Sequence, residues 1–418
     1  MLPRIAVGRH CCAPSTNVEN YRPLVGDDLI DEIHELSHDL KDLRLCQLNA
    51  TASGGGVAEL LGRQIPLYQA LGIHAEWRVI HGDQEFFTIT KAFHNALQGA
   101  ECRLTSSTKQ EYLEHNRISA EMLDGPYDVY IVHDPQPAAL RHFKKNDKSK
   151  WIWRCHIDSS TPNAEVWQFL CPYVEAHDAA VFTTHAFEPP DLDMRRVVFI
   201  PPAIDPLATK NMELPNDLCR RVIADAGLDL RRPILLQVSR FDPWKDPVGV
   251  IRAYRLVKEK RPDVQLALVG AMASDDPEGW AILEQIDQEK ADDPDIYVFT
   301  NLTGVGNMEV NAFQRGVDVV IQKSLKEGFG LVVSEALWKE KPMVAGAAGG
   351  IPMQFPKQYE DYLVHSIEDC ASRLLFLLDN PQVADSLGRA GKEKVRQEFL
   401  LPRLVRDELR LIREMLAE

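Results

Sequence analysis

Glu327 and Glu335 stand with seven residues between them, and Gly328, Phe329, Gly330 and Leu331 make the turn from the first glutamate toward the second. The β-branched run at 317–321 precedes this turn, and Leu331, Ala336 and Leu337 follow it at helical spacing. A strand, a glycine turn and a helix start together present unpaired N–H groups, and glycine lets a diphosphate approach them closely. Carboxylates accept paired hydrogen bonds from neighbouring hydroxyls, so the two glutamates suit a hexose and a ribose at either end of a diphosphate. Upstream, Arg240 and Lys245 lie across another strand-to-helix turn. Arg would give such a ligand a bidentate fork and Lys a point charge. The structural alternative is a capping glutamate, a solvated glutamate and a salt-bridged loop. Taken together, the two turns are more specific than either alone.

The elements that must position these groups alternate. Segments 44–49, 76–80, 128–132, 151–155 and 179–183 read as strands separated by helices. Segments 234–239, 264–270, 296–299, 317–321 and 342–346 repeat the pattern in the second half. Strand–helix alternation of this kind predicts α/β domains with doubly wound parallel sheets. The boundaries expected are an N-terminal extension at 1–42, a first domain at 43–200 and a second at 201–399. The proline-rich stretch 199–206 stiffens the crossing between the two domains. Apolar spacing over 28–40 predicts a helix that packs on the first domain or on a second subunit of a homodimer.

In the first domain, Gly54, Gly55 and Gly56 occupy the first strand-to-helix turn, where a ligand could approach. The Gly-x-Gly-x-x-Gly spacing of a dinucleotide site is missing, and a merely flexible loop is the alternative. His133 and Asp134 follow one strand, and His156 and Asp158 follow another. In an open parallel sheet ligands bind beyond the carboxyl ends of strands, so both clusters point at one crevice. No compact histidine pattern supplies a metal site, and no metal is expected.

The bulk composition narrows the partners. A chain of 418 residues with 45% hydrophobic and 26% charged residues is that of an ordinary globular protein. A net charge of −15 argues against nucleic acid or an anionic membrane as partner. The eight cysteines, including the vicinal Cys11-Cys12, show no Cys-x-x-Cys spacing, so reduced thiols in a cytoplasmic protein are expected. Arg4, Arg9 and His10 interrupt any early apolar core, and no run is long enough to span a membrane.

Glu327 to Glu335 resembles the Glu-x7-Glu motif of retaining, family-4-type glycosyltransferases, and Ser239-Arg240 with Lys245 is similar to a second motif of that family. Thr90–Asn95, His133–Gln136, Trp153–Asp158 and Phe241–Pro247 are similar to its trehalose branch, which holds glycosyltransferring synthases and longer retaining phosphorylases. The resemblance implies a GT-B fold, two Rossmann-like domains facing a central cleft, with the last helix crossing back onto the first domain. It implies a nucleotide-sugar donor (UDP-, ADP- or GDP-glucose), glucose as acceptor and α,α-trehalose as product, with no cofactor required. The phosphorylase, a transferase with another acceptor and a nucleotide-sugar-binding regulator without turnover stay open.

By resemblance, Arg240, Lys245 and the helix amides near Gly330 meet the diphosphate, Glu327 the donor hexose and Glu335 the ribose. Main chain near Asn301 and Leu302 holds the base, and Gly55 and Gly56 approach the donor. His156 positions the donor sugar, while Asp134, Arg154 and Asp158 take acceptor hydroxyls. Front-face displacement, in which the leaving phosphate accepts the acceptor's proton, requires no nucleophile on the protein.

Overall fold

The computed structural model describes residues 1–7, 16–53, 55–272 and 277–418. Gly54 and the Cys11-Cys12 pair lie outside the described residues. The chain divides into two compact units, Met1–Ala203 with Leu401–Glu418, and Ile204–Leu400.

The first unit is built on six strands: β1 (Arg44–Asn49), β2 (His74–Val79), β3 (Val129–His133), β4 (Lys150–Arg154), β5 (Ala179–Phe182) and β6 (Val197–Phe199). Their order is β2-β1-β3-β4-β5-β6, and every neighbouring pair is parallel. All five residues of β3, Val-Tyr-Ile-Val-His, are buried, as a parallel strand covered on both faces requires. Tyr130 stacks on Trp151 with ring centroids 4.0 Å apart, inside a core that also holds Phe86, Phe93, Tyr112 and Trp153.

Helix α1 (Asp27–Asp39) packs within this unit, against the C-terminal helix Leu401–Leu416. Arg413 pairs with Asp39 at 3.1 Å, and Arg410 pairs with Glu32. The segment left open between the first domain and a second subunit therefore has its apolar face covered by its own chain: Ile30, Ile33 and Leu36 are fully buried. The C-terminal helix is strongly amphipathic, with Leu404, Val405, Leu409 and Ile412 buried and Arg410 and Arg413 outward. Helix α2 (Gly56–Ala70) follows β1 directly and starts from Gly55.

The second unit repeats the plan with β7 (Ile234–Arg240), β8 (Gln265–Ala271), β9 (Ile296–Thr300), β10 (Val319–Gln322), β11 (Met343–Gly346) and β12 (Leu363–Val364). The sheet runs β12-β11-β10-β7-β8-β9, again all parallel. Helices α3 (Pro247–Lys258), α4 (Asn307–Gly316) and α5 (Leu331–Trp338) follow β7, β9 and β10. Asp246 starts α3 in a left-handed conformation, φ 48°, and its carboxylate accepts the Gly249 N–H at 3.0 Å, with Pro247 at the first helical position.

Each sheet has a strand that periodicity does not disclose. β6 and β12 have three and two residues, too few to show an alternation. The run at 317–321 is shorter as a strand than its composition suggests, because Val317 ends α4 and β10 begins at Val319. The helix Ser106–Met122 also escapes a periodicity reading, since most of its residues are polar; a Thr105–Thr108 capping box starts it.

Candidate active site

In the second unit two loops come together at the ends of β7 and β10. The Leu325 N–H donates to the Trp244 carbonyl at 2.8 Å, joining them through main chain. Lys245 forms an ion pair with Glu327, whose same carboxylate oxygen accepts the Ser324 hydroxyl at 3.1 Å. Lys323 pairs with Asp246, and Lys326 lies 4.9 Å over the Trp244 ring. Arg240 is more open: it donates to Asp242 at 3.1 Å, and its side chain is mostly exposed. Asp242 is held in turn by accepting the Trp244 N–H at 2.7 Å. The structure thus joins Lys245 to Glu327 across two loops and leaves the Arg240 guanidinium available at the end of β7.

Gly330 precedes α5 with φ 83°, a left-handed conformation that L side chains rarely adopt. Gly349 has φ 53°, and a Cβ there would fall on the Glu327 carbonyl. The Gly350 N–H donates to the Gly328 carbonyl at 3.0 Å. The glycine pair after β11 therefore packs on the back of the 327–330 turn. Sequence reading missed Gln354, which is fully buried and donates to the Phe329 carbonyl at 2.5 Å while accepting the Ser334 hydroxyl at 2.6 Å. It ties the turn to the first helical turn of α5. A lone glutamine beyond a glycine loop carries no spacing signal that would have identified it. Phe329 turns its side chain inward, 5.3 Å from Phe399, leaving its main chain as the part able to face a ligand. Leu331 is the first residue of α5, and its N–H is among the unpaired ones at that end.

Glu335 is 1% exposed. Lys210 Nζ lies 2.8 Å from one carboxylate oxygen, and Gln314 donates to the other at 3.3 Å. Burial alone would raise its pKa, but Lys210 and Lys339 outweigh that and hold it below the ordinary value. Lys339 is itself pushed down to about 7, chiefly by burial, and donates to Asn211, Gln314 and the Glu335 carbonyl. The surface-residue alternative for Glu335 is therefore excluded. Asn301 is paired with the Met272 main chain, accepting its N–H at 2.7 Å and donating to its carbonyl at 3.0 Å. Leu302 beside it is exposed.

In the first unit a polar cluster lies at the ends of β1, β3 and β4. His133 contacts Gln47 at 2.5 Å and His156 at 2.9 Å. Asp134 has φ 65°, and its carboxylate accepts the His156 N–H at 2.8 Å. Burial pushes the Asp134 carboxyl up to about 7, against the pull of that N–H and of Arg154. Asp158 closes a turn by accepting from the Ser160 N–H and hydroxyl. Gly55 has φ 136° with open space where a Cβ would stand, and Gly56 begins α2.

Arg154 departs from its expected part. It is 2% exposed, and its guanidinium pairs with Glu408 of the C-terminal helix and reaches the Ile200 carbonyl at 3.3 Å. Gln64 and Tyr68 of α2 complete the Glu408 site. With its donors turned into this core network, Arg154 fastens the C-terminal helix and does not reach out for a hydroxyl. From sequence, an arginine at a strand end looks the same in either role.

Among the described residues one other group could gather a cation, Asp83, Glu111 and His115. His115 Nε2 already has a hydrogen-bond partner in Glu111 at 2.9 Å, and Asp83 is largely exposed, an arrangement that needs no ion to explain it. No helix among the described residues is long and apolar enough to cross a membrane.

Residues 47–189 match the family model "Trehalose synthase, N-terminal domain", and residues 220–394 match "Glycosyl transferases group 1". The chain is 48% identical to a trehalose synthase of Rubrobacter xylanophilus over 422 aligned residues, covering all of both chains. A trehalose phosphorylase of Pleurotus pulmonarius is 28% identical over 83% of this chain and 54% of its own. Among solved structures, a trehalose 6-phosphate synthase from Burkholderia multivorans superposes with a TM-score of 0.68 over 90% of this chain and 99% of its own. At 16% identity that likeness speaks for the fold, which is GT-B. Full-length similarity at this level, with both family models in chain order, shows that this chain belongs to the trehalose synthase family of glycosyltransferases.

Proposed function

We propose that the protein transfers a glucosyl group from a nucleoside diphosphate glucose to glucose, forming α,α-trehalose and the nucleoside diphosphate with retention at the anomeric carbon. The observation that carries this reading is the Lys245–Glu327 pair beside the left-handed Gly330 start of α5, with Arg240 open at the end of β7. Such a turn offers cations and helix N–H groups to a diphosphate and a carboxylate to the hexose attached to it.

As the C1–O bond to the β-phosphate breaks, negative charge grows on that phosphate. Arg240, Lys245 and the N–H groups after Gly330 stabilise it without needing to reorganise. The acceptor oxygen forms the new bond to C1 on the same face, and its proton passes to the departing phosphate. Glu327 is placed to hold donor hexose hydroxyls. Glu335, the ribose ligand in this reading, would exchange a contact such as Lys210 for the ribose. Asp134 and Asp158 of the first unit would take acceptor hydroxyls, and His156 the transferred sugar. The base would lie against main chain near Asn301 and Leu302, with Gly55 and Gly56 close to the donor. The two cations take the part a divalent ion plays in other phosphate chemistry.

The test is to incubate the protein with glucose and, separately, UDP-, ADP- and GDP-glucose, and to examine the product by NMR. An α,α-1,1-linked disaccharide with release of the diphosphate is expected and would rank the bases. Failure with all three donors, but glucose 1-phosphate formation from trehalose and phosphate, would replace this reading with the phosphorylase reaction.

A further inference from the structure

Gln47 on β1, His133 at the end of β3 and the His156 ring just beyond β4 form a row across three neighbouring strands. Gln47 Oε1 faces His133 Nε2 at 2.5 Å, and His133 Nδ1 faces His156 Nε2 at 2.9 Å. The two rings have centroids 5.2 Å apart and planes only 14° apart. With nitrogens in contact at that spacing, the rings lie side by side and nearly coplanar, the direction in which an imidazole lone pair accepts a hydrogen bond. Gln47 is 0% exposed and His133 1%. Gln47 Nε2 has no partner among the described residues, so this amide is buried with one of its polar ends unanswered. An apolar side chain would fill the same strand position without that cost, and the contact with His133 is what the amide provides.

Burial and the neighbouring Arg154 guanidinium hold both imidazoles well below their usual pKa, so each is neutral and carries a single N–H. Asp134 also meets the pair, its carboxylate accepting the His156 main-chain N–H, and Arg154 is itself bound to Glu408. With Gln47 presenting its oxygen, His133 must donate from Nε2, which leaves its Nδ1 a lone pair. His156 then donates from Nε2, and its own Nδ1 becomes a lone pair. No hydrogen bond to His156 Nδ1 is found among the described residues, and the residue as a whole is half-buried.

We propose that Gln47 and His133 are positioning residues that hold His156 in the Nε2–H tautomer, so that its Nδ1 accepts a hydrogen bond from a sugar hydroxyl and does not donate one. The ligand class rests on the proposed glucosyl transfer; the tautomer does not. An ionised phosphate oxygen, which can only accept, is disfavoured at that nitrogen, whereas a hydroxyl is favoured. Specificity for a hydroxyl at this point is thus set two strands away, by an amide that touches no substrate.

The experiment is a long-range ¹H–¹⁵N spectrum of the full-length protein labelled on histidine, with the His156→Asn variant used to assign the ring. In the wild type His156 Nδ1 should show the shift of an unprotonated nitrogen; a protonated Nδ1 overturns the proposal whether or not any sugar is transferred. Gln47→Asn keeps an amide oxygen for His133 without adding a titratable group, and it should keep the Nε2–H tautomer and turnover within about tenfold. Gln47→Leu, which packs but cannot accept, should give mixed tautomers and a turnover lower by about 10–100-fold, by analogy with removal of the partner that orients a metal-bound histidine. Equal losses in both variants with an unchanged His156 spectrum would show a packing role alone and overturn the proposal. Because the spectrum needs no turnover, its outcome is separate from failure of the glucosyltransferase reading.

Discussion

Lys245 and Glu327 show how much a single contact can carry. The lysine is held by a carboxylate that has a second partner in Ser324, so its position is defined by the protein alone. Lys245→Ala is expected to lower kcat by about 10²–10³, the range for losing one preorganised group at a developing charge. Steady-state kinetics with saturating donor would show it, and a wild-type kcat would remove Lys245 from the site. Glu335→Gln keeps the volume of a buried side chain but gives up the charge that faces Lys210 and Lys339. Calorimetric titration with nucleotide sugar should show weaker binding; unchanged affinity would exclude Glu335 as the ribose ligand. Asp134 makes a pH prediction with a definite sign. Its carboxyl rises from 3.8 to about 7, so between those values the folded protein holds a proton that the unfolded chain has released. Its contribution to stability therefore falls as pH rises through that window, and Asp134→Asn should flatten this part of a thermal-melt series. If the carboxylate is the form that binds the acceptor, KM for glucose should fall as pH rises through about 7 and cease to do so in the variant.

At the scale of elements, the 327–330 turn is shaped from behind. Gly349 leaves room for the Glu327 carbonyl, and Gln354 holds the carbonyls of the 329–330 turn. Gly349→Ala would force a Cβ into main chain while straining a left-handed residue, and it should reduce turnover more than it reduces the melting temperature of the second unit. The C-terminal helix is fastened differently, by Glu408 against Arg154 in a buried site shared with Gln64 and Tyr68. Glu408→Ala leaves Arg154 buried and unpaired, a loss of about 3–5 kcal/mol for such pairs. Chemical denaturation should show the first unit destabilised, and replacing both partners together, Arg154→Met with Glu408→Leu, should recover much of the loss. Equal stability of Glu408→Ala and the wild type would show that the ion pair is not what holds the helix.

For the whole molecule, the proposed chemistry uses two cations and helix N–H groups where other phosphate enzymes use a metal, so a chelator should leave activity largely intact; abolition would overturn that part of the mechanism. Much of the architecture was legible in the chain. Runs of β-branched and apolar residues marked most of the strands because a parallel sheet covered on both faces demands them. Glycine turns marked where helices start after strands, and the spacing of Glu327 and Glu335 singled out the turn between β10 and α5. The short edge strands β6 and β12 and the polar helix Ser106–Met122 were not legible, because too few residues or too few apolar ones carry a period. What the sequence by itself determined was local: which segments pair as strands, where turns need glycine, and which charges sit at strand ends. Only the tertiary structure decided how those charges are used. It pairs Lys245 with Glu327 across two loops, buries Glu335 among lysines, turns Arg154 into the core and lines Gln47 up behind two histidines. Side chains far apart in sequence acquire partners only when the sheets close, and a charge or a tautomer is defined by its partners and by the water excluded around it.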